Sequence, residues 1–418
     1  MSAASEFLAP RAAPRAGYRA LSQRFLHLLL FAAMLGSPFV FIEPSPYEIF
    51  VGLLALGALA AGVTVDRKIM PPLFLLLIWN VAGLAALVPV IYDNDAVIFI
   101  VISFYMAMTA IVFACLFAHD SVRRLEIMRT GYIFAAVIAA VIGIIGYFDL
   151  VPGAWENLTL YNRAKSTFKD PNVFGPYLVL PVLFLIQGML IKGLKLRYVA
   201  AALTILVALL LTFSRAAWGH FIFSAMLMVA LMFVASPSAR FRARIAGFSV
   251  LTTIGVGVLL AGMLSVGTIG DVFKERASLQ QDYDVSDSGR FAKQETSIPV
   301  LLERPNGLGP YQFRNLYGQD PHDVYLNAFA SYGWIGGIAY AILVLSTLWV
   351  GYANVLKRTP WQPYFIAALA TYTGVALEGF VVDTDHWRHY YLLMGIIWGL
   401  VIATLNNERN SFSRHGRA

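Results

Sequence analysis

One cysteine, Cys115, stands in a chain of 418 residues, and it lies inside an apolar run. An intrachain disulfide is therefore impossible, and no thiolate metal site can be assembled. Charge is nearly as scarce: Asp, Glu, Lys and Arg make up 13% of the residues against 59% hydrophobic ones. With a mean hydropathy of +0.68, a soluble multi-domain protein is excluded. The net charge of +7 does not point to nucleic acid, because Lys and Arg sit in short clusters between apolar runs, the pattern that orients a membrane protein. Residues 1–24 carry Arg11, Arg15, Arg19 and Arg24 but neither a long apolar stretch nor a convincing small-residue cleavage site. They are expected to be a cytoplasmic tail leading into a retained first helix rather than a removed signal.

Oily sequence is what the chain has in quantity. Crossing about 30 Å of hydrocarbon takes roughly 20 residues, and twelve stretches qualify: 25–42, 47–65, 70–92, 96–117, 128–148, 173–191, 198–213, 216–236, 246–267, 324–350, 362–381 and 389–406. With the N-terminus cytoplasmic, 20 of the 31 Lys and Arg fall on that side. The other 11 lie outside, nearly all in two long loops, 149–172 and 268–323, which escape the positive-inside bias because long segments translocate regardless of charge. Merging 198–213 with 216–236 would turn every later cluster outward, so a break at Ser214 and Arg215 is expected. The fold expected is an all-α polytopic membrane protein of about twelve transmembrane helices: nine over 25–267, a large outer loop at 268–323, three more over 324–406, and a cytoplasmic tail at 407–418.

The polar groups near these spans carry the chemistry. In "LLLTFSRAAWGH" (209–220) Arg215 sits between two apolar runs. Either it marks a hairpin end and snorkels into headgroups, or its planar fork of donors, fixed by two helix ends, holds a phosphate. In "VSDSGRFAKQETSIPVLLERPNGLGPYQF" (285–313) Ser288 is a plausible cap for a short helix carrying Arg290, which Pro299 would end or kink. "NGLGP" (306–310) reads as a turn, since a phosphate-cradling loop needs a different glycine spacing. Lys165 and Lys169 add cations to the face that bears Arg215, most simply as snorkelling lysines. In "EGFVVDTDHWRHYY" (378–391) Asp383, Asp385, His386 and His389 are too closely spaced to assign a metal, because such spacing recurs by accident in polar turns. "DTD" there and "DND" at 93–95 resemble sugar-nucleotide motifs only superficially. Glu378 is notable, since a carboxylate within a span has a partner or a task. His322 stands where the polar turn "GQDPH" enters an apolar helix, and a bland role in loop hydrogen bonding is open to it.

Cations, a histidine at a helix mouth and nearby carboxylates make a kit for anion chemistry outside the cytoplasm, where no nucleotide sugar is at hand. A glycan carried on a polyprenyl diphosphate is already activated. Fixed guanidiniums would stabilise the departing diphosphate, and an imidazole is well matched to taking a hydroxyl proton at neutral pH. "STFKDPNVFGPYLVLP", "LLTFSRAAWG", "SGR", "GLGPYQF" and "PHDVYLNAFASYGWIGG", in this order over roughly residues 160–350, resemble the O-antigen ligase and polysaccharide polymerase superfamily of bacterial envelopes. The resemblance implies a GT-C-like fold in the inner membrane and metal-independent transfer of a glycan from undecaprenyl diphosphate to an acceptor hydroxyl at the periplasmic face. The acceptor would be a growing glycan or the lipid A core, and no cofactor is implied. It also implies that Arg215 and Arg290 grip the diphosphate and that His322 is the general base or a close participant; beside these, the residues themselves offer Lys169 as a further diphosphate cation and Asp323 and Glu378 as supporting carboxylates. One departure stands out: the family commonly has Asn after the histidine, and Asp323 here would either alter how the ring is held or set an anion beside it and raise its pKa. "SYGWIGG" (331–337) reads as structural, its small residues letting helices approach.

Two other classes compete. A twelve-helix secondary transporter or flippase would place ionisable groups near the midplane of two repeated halves, whereas here they gather outside and no repeat is found. A structural assembly component would tolerate loss of Arg215, Arg290 and His322 alike.

Overall fold

The structure, a computed structural model, describes residues 13–265 and 289–415, with 267, 270 and 273 between them. Twelve helices of 15 residues or more account for most of it. The first ten helices in order are α1 (Ala13–Gly36), α2 (Pro46–Ala60), α3 (Met70–Leu87), α4 (Asn94–Phe117), α5 (Ser121–Tyr147), the single turn α6 (Ala154–Leu158), α7 (Pro171–Lys192), α8 (Leu196–Leu211), α9 (Arg215–Ala235) and α10 (Ala239–Leu264). Between α6 and α7, β1 (Thr159–Leu160) pairs antiparallel with β2 (Arg163–Ala164). Short α11 (Arg290–Leu302) and α12 (Gln312–Tyr317) precede α13 (Val324–Val355), α14 (Gln362–Glu378) and α15 (Arg388–His415).

Each expected span falls on one long helix. Eight of them are long and apolar enough to cross a membrane, while the apolar parts of α1, α2 and α8 are shorter. The first expected span is displaced: α1 starts well before residue 25 and stops at Gly36, because the residue preceding Pro38 is driven out of helical geometry. Pro299 lies within α11 and does not end it. Leu56, Leu59, Phe74, Val101 and Met226 face outward in the open, a surface that suits lipid and not water.

Two helices form the centre. Most of the apolar window of α7 (94%) and of α15 (89%) is enclosed by protein, against 6% for α10 at the edge. The reason for the tight seating of α15 is a Gly-x-x-x-Gly pair. A Cβ on Gly395 would stand 2.6 Å from Phe113 Cβ, and one on Gly399 only 2.7 Å from the Ala114 carbonyl, so α4 and α15 touch backbone to side chain as small-residue stripes allow. The expected break between α8 and α9 is there. Phe213 takes a left-handed φ of 46°, and the Ser214 hydroxyl accepts from the Ala217 amide at the start of α9.

Candidate functional site

His322 stands at the mouth of a helix that is broken further along. α13 departs from helical geometry at Gly333, whose φ is 68°. The break is filled by the loop 305–309: the amides of Leu308 and Gly309 donate to the Ala330 carbonyl at 2.8 and 3.2 Å, and the Trp334 amide donates to the Pro305 carbonyl at 2.9 Å. Backbone meets backbone so closely that a Cβ on Gly333 would lie 2.8 Å from the Pro305 carbonyl oxygen, and one on Gly307 2.7 Å from the Gly333 nitrogen. A break of this kind is tolerated at membrane depth only where protein satisfies the freed groups. The "NGLGP" turn is thus the plug of α13, and "SYGWIGG" is the socket as well as a packing surface.

The piece of α13 before the break presents His322 at its mouth. The Asp323 carboxylate accepts from the amides of Tyr325 (2.9 Å) and Leu326 (3.1 Å), so it is spent on capping the helix. The expectation that Asp323 sets an anion beside the ring is corrected: that anion is Asp383, whose Oδ2 stands 3.7 Å from His322 Nδ1. The pair is open, with 42% of the histidine side chain and 25% of the aspartate accessible. Burial pushes the Asp383 carboxyl above the ordinary carboxylate range against the pull of His322, with Asp385 adding to the rise. Burial likewise raises Asp323 to about 6, and burial together with Asp383 raises Asp320 to about 6. Nδ1 faces the carboxylate, which leaves Nε2 for an incoming group.

The cations gather at the start of α7 and of α9. Arg215 is the first residue of α9 and is half-buried. Beside it, Arg163 donates from Nε to the Thr212 carbonyl at 2.7 Å and from a terminal nitrogen to Asn172 Oδ1 at 2.6 Å, and Asn172 Oδ1 also accepts from the Ser214 hydroxyl at 2.9 Å. Lys169 pairs at 2.7 Å with Glu43, between α1 and α2, both of them exposed. Arg290 opens α11, but its side chain lies outside the described residues, as does Ser288; the residue that precedes the helix as its cap is Gly289.

The Glu378 carboxylate pairs with a different histidine. Its Oε2 is 2.9 Å from Nδ1 of His220 on α9, and this pair is sealed, with side chains 1% and 0% accessible. The acids and histidines of 383–389 also separate. Asp383 faces His322, and Asp385 sits 3.0 Å from His386 Nδ1. The other nitrogen of His386 meets the Phe99 carbonyl at 3.1 Å, while the His389 ring packs near Trp387 and Tyr177. Arg388 is bonded to Glu48. "DND" proves to be a cap: Asp93 accepts from the amides of Asp95 and Ala96.

Sequence reasoning did not single out His220, Arg163 or Gln294, and it weighed Asp383 only as a metal ligand. The one available sign was the pairing rule for Glu378: a carboxylate in a span wants a partner, and a histidine on another span is such a partner.

A family model described as O-antigen ligase matches residues 200–341, about a third of the chain. The match takes in Arg215, His220, the loop 305–309, His322 and the break at Gly333, and it stops before Glu378 and Asp383. No curated protein matches the chain significantly.

Proposed function

We propose, from the match of residues 200–341 to a family model described as O-antigen ligase, that this multi-pass membrane protein transfers a glycan from a polyprenyl diphosphate carrier to an acceptor hydroxyl. The reaction takes place at the end of the bundle that carries His322, which is the periplasmic face if both termini are cytoplasmic. The observation that carries this reading is the open His322–Asp383 pair at the mouth of α13.

Nε2 of His322 accepts the proton of the attacking hydroxyl as the new carbon–oxygen bond forms at the anomeric carbon. The bond from that carbon to the diphosphate oxygen breaks, and its electron pair leaves with the phosphate. Asp383 on the Nδ1 side orients the ring and balances the charge it gains, the logic of a base held by a third group. The departing diphosphate gathers negative charge, which Arg215 and Arg290 would neutralise in the manner of fixed donors aimed at developing charge. Arg163, bonded to the carbonyl three residues before Arg215, braces that corner. Lys169 is engaged with Glu43 and serves the donor only if that exposed pair opens. All twelve helices crossing the bilayer in a GT-C-like layout completes the proposal.

The rival, transport, gains nothing from the interrupted helix. Loop backbone fills the break at Gly333, whereas a transporter leaves such a break facing a substrate cavity.

The test is a deletion strain complemented with the wild type or with His322→Ala at equal protein levels, followed by gels of surface and carrier-linked glycans. Loss of product with His322→Ala is expected, since general-base catalysis contributes about 10²- to 10⁴-fold. Long chains held on the carrier identify a ligase, and single repeats identify a polymerase. A normal glycan pattern with His322→Ala overturns the proposal.

A further inference from the structure

The end of α14 gathers contacts from three elements that bear candidate residues. Glu378 binds His220 of α9, the helix begun by Arg215. One residue on, the Gly379 carbonyl accepts at 2.8 Å from the amide of Val324, the first residue of α13. The next carbonyl, Phe380, accepts at 3.0 Å from the side chain of Gln294 in α11, the helix begun by Arg290; the same side-chain nitrogen lies 3.5 Å from the His322 carbonyl. The Tyr325 hydroxyl donates to the Ala376 carbonyl at 2.6 Å. Three residues past Phe380 comes Asp383, facing His322.

The histidine–glutamate brace has a defined proton count. His220 Nε2 stands 3.0 Å from the Thr371 carbonyl, which can only accept, so Nε2 carries a hydrogen. The 2.9 Å contact between Nδ1 and Glu378 therefore holds a single proton, and the pair is neutral as a whole whichever partner has it. That is the form in which two ionisable groups can be sealed among helices without an unbalanced charge. Gly374 lets the ring lie flat on α14, since a Cβ there would be 2.3 Å from both His220 Cδ2 and Ser224 Oγ. Sealed as they are, His220 and Glu378 touch no substrate.

We infer that residues 376–380 of α14 and its exit are a positioning hub, in which the His220–Glu378 pair sets α9 with Arg215, and Gln294 sets α11 with Arg290, relative to His322. This inference rests on the reading given under Proposed function. Its energetic basis is that a displacement of about 1 Å in a catalytic group costs on the order of 10²-fold in rate. A hydrogen bond sealed from water is strong enough to prevent such drift.

The test uses full-length protein in proteoliposomes, supplied with the carrier-linked glycan that accumulates in the deletion strain and with acceptor from the same cells. Turnover is expressed per folded molecule, counted by size exclusion. His220→Ala and Glu378→Ala are each expected to lower kcat 10- to 100-fold with donor KM within threefold of wild type, and the double variant should be no worse than the poorer single one. Glu378→Gln keeps a donor facing Nδ1 and should recover most of the turnover lost in Glu378→Ala. Gln294→Ala, on an accessible helix, should lower kcat about 3- to 10-fold with unchanged heat stability. Wild-type turnover in the folded alanine variants overturns the hub. If those two do not fold, an unchanged kcat in Gln294→Ala does so. Full activity in His322→Ala would instead remove the underlying reading, so the two failures are distinguishable.

Discussion

Two of the histidine–carboxylate pairs at this end of the molecule have the same chemistry on paper. In one, His322 faces Asp383 at 3.7 Å with 42% and 25% of the side chains accessible; in the other, His220 meets Glu378 at 2.9 Å with 0% and 1% accessible. The open pair is loose, and its second ring nitrogen has no hydrogen-bond partner among the described residues. The sealed pair has both ring nitrogens engaged and can only hold its shape. In the proposed reading, exposure and the second partner, rather than residue type, separate the group that reacts from the group that positions.

Amide substitution tests that contrast directly. With His322→Ala as the floor, Asp383→Asn should lower kcat at least tenfold, because an amide does not balance the charge gained by the ring, whereas Glu378→Gln should stay close to wild type. Equal losses in the two variants would erase the distinction. Arg215→Lys comes next: it keeps the charge and loses the planar fork, so the proteoliposome assay should show a loss of about tenfold. Full activity there would return Arg215 to a headgroup anchor. The helix break offers a third, structural test. Gly333→Ala forces a side chain into positive φ with a loop carbonyl 2.8 Å away, and strain of this kind costs on the order of 1–3 kcal/mol. Melting in detergent should drop by several degrees and turnover should fall with it; a stable, active variant would show that the plug does not hold His322.

The smallest effect expected is in pH. Asp323 is raised to about 6, so the folded chain holds that proton more tightly than the unfolded one. The contribution to stability is complete below about pH 4 and is lost as pH rises through 6. Asp323→Asn keeps a side-chain acceptor for the cap and removes the titration. Its melting temperature should therefore fall less between pH 4 and 7 than that of the wild type, by a few degrees at most, and identical slopes would exclude Asp323 as the titrating cap.

Much of this was legible in advance, and the reason is length. An apolar run of about 20 residues announces a helix whatever surrounds it, so each expected span met a helix. The interruption at Arg215 was readable because charge clusters on later loops depend on it. What was not readable lies between residues far apart in the chain: 158 positions separate His220 from Glu378. Asp323 was the natural suspect as the neighbour of His322 because it is adjacent in sequence, yet an amide-rich helix start lies within its reach and claims it. Gly333 looked like any small residue in a helix, and its positive φ becomes necessary only once the loop 305–309 is laid against it.

Composition and hydropathy alone decided that the chain is a helical multi-pass membrane protein, and the motif at residues 318–323 alone put a histidine at a helix mouth. Tertiary packing alone decided which carboxylate each histidine meets, that the "NGLGP" turn fills a broken helix, and that one short stretch at the end of α14 ties three candidate-bearing elements together. The physical reason is range: transfer into lipid is settled residue by residue along a run, while a hydrogen bond depends on two side chains reaching the same point, which only the packing of the whole bundle determines.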